Sequence, residues 1–315
     1  MPCGFTRRLT RFQMNKSSKY HGAVVPMVTP FTPSGMLDEP ALARLVDMLI
    51  AGGVEGIFVL GTTGEGAQVP RPFRLRLVEQ IVQRVNNRVL IYAGLGDTHP
   101  EGVDAGNDFL SAGAHVLVSR PPVSLPLTKL ETWYRVLLDG LTGRLFIYNI
   151  PTTTKVSIPL DVIESLMGHP HLAGMKDSEN DPKRLDEIMR RFGGKKNFSV
   201  FVGVGALMEK GLKLGADGIV PSVGNLIPEV CQQMCVAAQK SDWPAVETLS
   251  ARMNAVAALY QKGRNLNESL AALKAAMHCR GLCAPEVLPP LRKVSETELE
   301  KIRGYMHELH LLNGK

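Results

Sequence analysis

Lys176 ends a short apolar run that begins at Leu172, and Asp177 and Ser178 follow it directly. The run is typical of a buried strand, so Lys176 would lie at the carboxyl end of that strand with restricted access to water. Burial disfavours the charged ammonium form of a lysine. An uncharged amine is a nucleophile toward ketones, so this position indicates Schiff-base chemistry.

A tyrosine occupies the equivalent position one strand earlier. Tyr148 ends the apolar run 145–148, and Asn149, Ile150 and Pro151 follow it. The carboxyl ends of neighbouring parallel strands meet at the same side of a sheet. We therefore expect the phenol of Tyr148 and the amine of Lys176 to point at one substrate.

The segment Gly61-Thr62-Thr63-Gly64-Glu65-Gly66 follows another apolar run. Two hydroxyls and several backbone N–H groups in a tight loop before a helix suit a small anion such as a carboxylate. A dinucleotide loop is the alternative, but the glycines are not in the order G-x-G-x-x-G and no ribose-binding acid is evident. No Walker A pattern occurs in the chain.

These candidates all follow strands of one repeating pattern. Eight apolar runs without polar alternation each precede a helical stretch, which predicts an α/β fold, a (β/α)8 TIM barrel, with the site at the carboxyl ends of its strands. The predicted strands are 23–28, 56–60, 88–93, 114–119, 144–148, 171–176, 198–202 and 217–221. We expect a basic tail over 1–20, the barrel over 21–241, and a carboxyl-terminal helical extension over 242–315.

Composition excludes several classes of protein. Of 315 residues, 44% are hydrophobic and 21% charged, and no run reaches the roughly 18 apolar residues of a membrane span. The net charge is +6, but residues 1–19 hold five basic side chains and no acid. The basic pI is therefore a property of the tail, and we predict neither a nucleic-acid nor a membrane partner. The tail itself is either a targeting segment or an extension upstream of the natural start at Met14.

The five cysteines do not form a disulfide framework or a zinc site. The number is odd, the chain is long, and no histidine or further cysteine stands at zinc-ligand spacing around the two pairs Cys231/Cys235 and Cys279/Cys283. We predict reduced, buried thiols and a cytoplasmic location.

The three motifs at Gly61–Glu65, Tyr148–Pro151 and Gly174–Ser178 resemble, in order and spacing, those of the dihydrodipicolinate synthase / N-acetylneuraminate lyase superfamily. The resemblance runs from about His21 to the end of the chain. It implies a class I lyase or aldolase that handles pyruvate on a (β/α)8 barrel, with no metal and no organic cofactor beyond the covalent imine. It also implies a small 2-keto acid as partner and a homo-oligomer, either a tetramer or a dimer.

The resemblance also implies roles for individual residues. Lys176 would form the imine, Tyr148 would transfer protons, and Thr62 would hydrogen-bond the Tyr148 hydroxyl. Thr63 and the backbone of Gly61 would hold the keto acid carboxylate. Further residues would lie close to the substrate: Gly203, Val220 and Ser222. Glu65 and Asp177 are expected to orient loops.

Two departures bear on the substrate. Relatives that are synthases carry an arginine at the position of Thr153, and a tyrosine pair where this chain has Ser119-Arg120-Pro121-Pro122. A threonine does not make the bidentate contact of a guanidinium. These losses favour a hydroxylated 2-keto acid as substrate, either a 2-keto-3-deoxy sugar acid or 4-hydroxy-2-oxoglutarate.

Three alternatives remain open. Dihydrodipicolinate synthase activity could survive if Arg120 or Lys155 replaces the lost arginine as the group that binds an acidic aldehyde. A dehydratase of 2-keto-3-deoxy sugar acids would use the same imine. Outside enzymes, the barrel could be a regulatory protein that binds pyruvate.

Overall fold

The computed structural model describes residues 20–95 and 101–312. Eight parallel strands form a closed barrel in chain order, and the first strand pairs with the last. The strands are β1 Gly22–Pro26, β2 Gly56–Val59, β3 Leu90–Gly94, β4 Val116–Ser119, β5 Arg144–Asn149, β6 Leu172–Asp177, β7 Ser199–Val202 and β8 Gly218–Ile219. The predicted basic tail lies almost entirely outside the described residues, so both explanations of it remain predictions.

Helices alternate with the strands and then continue beyond the barrel. They are α1 Glu39–Ala51, α2 Arg71–Val85, α3 Glu101–Ser111, α4 Leu127–Gly140, α5 Pro151–Thr154, α6 Leu160–Leu166, α7 Pro182–Phe192, α8 Gly205–Lys213, α9 Pro228–Gln239, α10 Trp243–Gln261, α11 Leu266–Cys279 and α12 Glu296–Glu308, with a 3-10 turn η1 at Ser222–Asn225. The predicted TIM barrel with carboxyl-terminal helices is confirmed. The domain boundary near residue 241 remains a prediction.

The strands are buried on both faces because they lie between the helices outside and packed side chains inside. Every residue of β1, β2, β3 and β4 is buried, which explains why these runs lack polar alternation. Aromatic rings occupy the barrel interior, with Phe146 and Phe201 5.5 Å apart between ring centroids in an edge-on contact. Such edge-on pairs are favoured by the ring quadrupoles.

Local capping explains where several helices begin. Asp38 accepts a hydrogen bond from the backbone N–H of Ala41 at 3.0 Å and so caps the start of α1. Asn265 and Glu268 form a capping box at the start of α11. This helix therefore begins at Leu266.

Candidate active site

Tyr148 and Lys176 are in register on neighbouring strands at the carboxyl end of the barrel. Both are buried, with Lys176 6% and Tyr148 4% exposed. The Nζ of Lys176 lies 4.0 Å from the centroid of the Tyr148 ring and 5.2 Å from that of Phe58. The structure therefore brings the predicted nucleophile and the predicted proton carrier together in a site with little access to water.

The Tyr148 hydroxyl is held by polar neighbours. It lies 3.4 Å from the Thr62 hydroxyl, within hydrogen-bond distance. Burial alone raises the pKa of the phenol, but the charge of Lys176 and hydrogen bonds with Thr62, Lys176 and Ser178 together bring the pKa of Tyr148 below its ordinary value. A phenol that gives up its proton more readily is better suited to act as an acid–base near neutral pH.

The residues that follow Tyr148 and Lys176 are joined to each other outside the barrel interior. The Asn149 amide donates to the Asp177 carboxylate at 2.8 Å, and the Arg184 guanidinium donates to the same carboxylate at 3.0 Å. Burial raises the pKa of Asp177, while Arg184, the backbone N–H of Glu179 and Asn149 oppose that rise. This cluster fixes the ends of β5 and β6 relative to each other, as expected for an orienting role of Asp177.

Gly61–Gly66 forms a closed turn above the strand ends. The N–H of Gly66 donates to the Gly61 carbonyl at 3.0 Å, and the N–H of Glu65 donates to the Thr62 carbonyl at 3.1 Å. A Cβ on Gly66 would lie 1.8 Å from the Leu60 carbonyl oxygen, so only glycine fits there. The close approach of the backbone therefore explains the glycine at position 66 without a dinucleotide-binding motif.

A cleft of about 450 Å³ opens beside this turn. Gly61, Thr62 and Tyr148 line it, whereas Thr63 lies half-buried on the same turn without lining it. The cleft also carries the three arginines Arg71, Arg74 and Arg120, and no aspartate or glutamate among the described lining residues. Its charge therefore favours an anionic ligand.

A second, smaller space contains Lys176 and Val220 and shares Phe58 and Val118 with the cleft. Gly203 packs closely against the Lys176 side chain, because a Cβ at position 203 would lie 2.8 Å from the Lys176 Cε. Gly203 and Val220 thus lie close to the Lys176 side chain. The hydroxyl of Ser222 instead lies 2.7 Å from that of Tyr260 on α10, and Ser222 lines neither space.

Two of the positions on which the substrate prediction depends lie in and after the short helix α5. Thr153 lines the cleft, and its hydroxyl donates to the Ile150 carbonyl at 3.1 Å. Lys155 is exposed, its Nζ donates to the Thr152 carbonyl at 3.1 Å, and it does not line the cleft. Of the two cations considered as replacements for the lost arginine, the cleft contains Arg120 only.

Sequence reasoning missed the contributions of α2 and α11 to the cleft. Arg71, Arg74, Asn267 and Leu270 all line it. Arg71 begins helix α2, which follows the Gly61–Gly66 turn, so the sequence could have indicated that Arg71 lies near this turn. The residues on α11 are about 200 positions from that turn, and no local pattern connects the two segments.

Residues 20–95 and 101–312 contain no group of three or more His, Cys, Asp or Glu side chains arranged to hold a metal ion. In the same ranges, no helix combines the length and apolar character that crossing a membrane requires.

Comparison with known proteins identifies the family. The model of the dihydrodipicolinate synthetase family matches residues 19–309, and the chain belongs to that family. A 4-hydroxy-tetrahydrodipicolinate synthase from Thioalkalivibrio sulfidiphilus is 29% identical over 88% of this chain and 93% of its own length. A synthase of the same name from Pseudomonas aeruginosa is 27% identical over 92% of this chain and 99% of its own length.

Solved structures agree with this assignment. Dihydrodipicolinate synthase from Bacteroides thetaiotaomicron is 30% identical, with a TM-score of 0.86 over 91% of this chain and 98% of its own. YagE, a prophage protein of the same family from E. coli K12 solved with pyruvate, is 25% identical, with a TM-score of 0.87 over 93% of this chain and 100% of its own.

The predicted enzyme class is therefore confirmed: the chain is a class I pyruvate-dependent enzyme of the aldolase and lyase type. Enzymes of this family use a covalent Schiff base with lysine and no external cofactor. The names of the relatives favour the synthase, which was the alternative from the sequence, over a lyase acting on hydroxylated keto acids.

Proposed function

We propose that this enzyme forms or breaks the carbon–carbon bond between pyruvate and an aldehyde, with Lys176 as the imine-forming nucleophile and Tyr148 as the acid–base. The observation that carries the proposal is the position of the buried Lys176 Nζ, 4.0 Å from the centre of the Tyr148 ring. Imine formation requires a nucleophile and a proton carrier that can both reach one small ketone.

The proposed reaction begins with the side-chain amine of Lys176. Lys176 attacks the keto carbon of pyruvate, and the resulting carbinolamine loses water to give the imine, with Tyr148 carrying the protons. The imine withdraws electrons, so C3 loses a proton to form an enamine, which attacks the carbonyl carbon of the aldehyde. Hydrolysis of the new imine frees the product and the lysine, and cleavage runs through the same steps in reverse. A positioned acid–base contributes about 10²–10⁴ in rate.

The turn Gly61–Gly66 holds the pyruvate carboxylate in this proposal. Gly61 supplies its backbone N–H, and Thr63 supplies a hydroxyl. The absence of carboxylates among the described residues lining the cleft supports binding of an acid here. Gly203 leaves room for the imine because it has no side chain to meet the Lys176 Cε.

For the second substrate, we propose an aldehyde that carries its own carboxylate, as in 4-hydroxy-tetrahydrodipicolinate synthase, where pyruvate condenses with aspartate semialdehyde. The names of the relatives support this activity. Arg120 would take the place of the arginine that Thr153 replaces, and its presence in the cleft supports that role. A guanidinium provides the paired donors that a carboxylate accepts.

Thr153 supports a second candidate, a lyase that releases pyruvate from a hydroxylated 2-keto acid. A hydroxyl-bearing side chain lines the cleft at the position where synthases have a guanidinium. Such a group suits a sugar-like hydroxyl better than a carboxylate.

The test is reductive trapping. The protein is treated with borohydride and pyruvate, digested, and analysed by mass spectrometry, with Lys155→Ala as a matched control and Lys176→Ala as the test variant. We expect the adduct on the peptide that contains Lys176, full trapping in Lys155→Ala and none in Lys176→Ala. Trapping that survives in Lys176→Ala would refute the proposed nucleophile.

The choice between the two candidates depends on turnover. Consumption of pyruvate with aspartate semialdehyde supports the synthase, whereas pyruvate release from a 2-keto-3-deoxy sugar acid or from 4-hydroxy-2-oxoglutarate supports the lyase. The wild-type enzyme should be assayed with all three under the same conditions, and kcat/KM values compared.

We further propose a cytoplasmic homo-oligomer, tetramer or dimer. The four described cysteines are all free thiols, which is usual in a reducing compartment. Light scattering coupled to size-exclusion chromatography would measure the number of subunits.

A further inference from the structure

A buried ion pair joins the carboxylate-binding turn to the carboxyl-terminal helices. Glu65, in the turn Gly61–Gly66, contacts the Nζ of Lys274 on α11, and both side chains are 1% exposed. They are 209 positions apart in the chain. Neither residue lines the cleft or the smaller space around Lys176, and the proposed mechanism leaves both unused.

Each member of the pair also binds backbone from one further segment. The second carboxylate oxygen of Glu65 accepts from the N–H of Leu288 at 2.6 Å, and the Nζ of Lys274 donates to the carbonyl of Glu286 at 2.7 Å. The segment 286–288 is thus held from both sides. These contacts satisfy two charges that are buried from solvent, where an unpartnered charge is costly.

The pair holds Glu65 in an uncommon backbone conformation. Its φ is +54°, a backbone conformation that residues other than glycine adopt with strain. The Oε1 atom of Glu65 faces the ammonium of Lys274. Loss of Lys274 would therefore leave a buried, uncompensated oxygen directly behind the turn.

The same contacts position the outer wall of the cleft. Leu270 lies one helical turn before Lys274 on α11 and lines the cleft, as does Asn267. Leu291, just beyond the segment 286–288, lines it too. A single buried pair therefore fixes the turn that would hold the keto acid carboxylate and the helix that faces it.

We propose that Glu65 and Lys274 are positioning residues that hold the turn Gly61–Gly66 in its carboxylate-binding conformation, so that the helical extension is required for affinity toward the keto acid. The inference rests on the proposed function. The turn keeps its backbone N–H groups aimed at the carboxylate only while Glu65 is anchored, and the lysine amine would still react once substrate is bound. Loss of the pair should raise KM for pyruvate more than it lowers kcat.

The experiment compares Glu65→Gln with the double variant Glu65→Leu/Lys274→Met. The first keeps an acceptor for the Leu288 N–H, and the second replaces both charges by apolar groups, which often restores stability. We expect each to raise KM for pyruvate, and the pyruvate concentration for half-maximal borohydride trapping, at least tenfold. Saturating kcat should change less than about threefold.

Arg264→Gln/Glu298→Gln is the matched control. It removes a pair with an N–O distance of 2.7 Å that joins the segment before α11 to α12. We expect KM within about twofold of the wild type. Thermal unfolding of every variant separates affinity from stability.

A stable double variant with wild-type KM and trapping would show that the pair serves stability alone, and it would overturn the inference. An equal rise of KM in the control would overturn it too, because any loosening of the extension would then suffice. If wild-type protein is not trapped by pyruvate at all, the proposed function itself fails, and this outcome differs from every result above.

Discussion

Lys176 and Tyr148 face each other from adjacent strands, with the lysine Nζ 4.0 Å from the centre of the phenol ring. The Nζ lies over the ring face, and the Tyr148 hydroxyl lies 3.4 Å from that of Thr62. An ammonium over a ring face is stabilised by the ring quadrupole. The Tyr148 ring therefore fixes the position of the Lys176 Nζ beside the proposed proton carrier.

Tyr148→Phe should separate proton transfer from binding. Only the hydroxyl is lost, and the ring remains in contact with Lys176. We expect kcat to fall by about 10²–10⁴ with the fold intact, because a positioned acid–base contributes that much. Stopped-flow or steady-state assays give kcat, and circular dichroism checks the fold. A loss of less than about threefold would assign the proton transfer to another group.

Thr62→Val should shift the pH dependence of the reaction. The hydrogen bond from Thr62 is one of the interactions that lower the pKa of Tyr148. Burial raises the pKa of Tyr148, and without the hydrogen bond from Thr62 fewer interactions oppose that rise. The pH at which the phenol ionises should rise, and the corresponding limb of the kcat/KM profile should move to higher pH.

Thr63→Val is the matched control for that measurement. Thr63 lies next to Thr62 on the same turn but does not line the cleft, and its proposed role is to hold the carboxylate. We expect a higher KM for pyruvate with an unshifted pH profile. A shift of equal size in both variants would mean that the turn, rather than one hydroxyl, sets the pKa of Tyr148.

Arg184→Met should destabilise the protein in a pH-dependent way. The variant leaves the buried Asp177 carboxylate without its ionic partner, which costs about 3–5 kcal/mol. Burial already raises the pKa of Asp177, and loss of Arg184 raises it further. A folded pKa above the unfolded one means that the folded state binds the proton more tightly, so the variant loses stability as pH rises through that window.

Urea unfolding at about pH 5 and about pH 8 measures this effect as the difference between variant and wild type. The difference should be larger at the higher pH. Arg191→Met is the control on the same helix, α7, because its partners Asp161 and Glu164 are 87% and 54% exposed. Exposed pairs contribute little, so the control should show a smaller loss without the pH dependence.

The barrel could be predicted because its signals are local. Each apolar run is short enough for a buried strand, and Asp38, a residue type that favours the cap position, lies directly before α1. The helix α5 at Pro151–Thr154 was missed because it has only four residues, three of them β-branched threonines with low helix propensity. The hydroxyl of Thr154 donates to the Ile150 carbonyl and stabilises this turn.

Contacts between distant segments could not be predicted. Lys274 lies in an apolar stretch of α11, and only the fold shows that Glu65 is its partner. Ser222 follows β8 as expected, yet its hydroxyl lies against Tyr260 on the extension. Adjacency to a strand end was enough to group Tyr148, Lys176 and Thr62, which lie near one another because the barrel geometry repeats. The direction of a side chain in a loop depends on neighbours that a local pattern does not contain.

Arg120 and Lys155 give the sharpest test of the second substrate. Arg120 lines the cleft, whereas Lys155 is exposed outside it with its Nζ bonded to the Thr152 carbonyl. Arg120→Gln removes a charge-assisted contact of about 1.5–3 kcal/mol, so we expect kcat/KM for an aldehyde that carries a carboxylate to fall roughly 10- to 100-fold. Trapping with pyruvate alone should be unchanged, because Lys176 and the turn Gly61–Gly66 are untouched.

Lys155→Gln removes the same charge from the neighbouring loop and should leave kcat/KM for the same aldehyde within about twofold. An aldehyde without a carboxylate, assayed with both variants, shows whether the loss depends on the substrate's charge. Equal losses with the charged and uncharged aldehydes would mean that Arg120 supports the cleft wall instead of binding substrate. A loss confined to Lys155→Gln would assign the carboxylate to the loop after α5, since only a movement of that loop could bring its ammonium to the substrate.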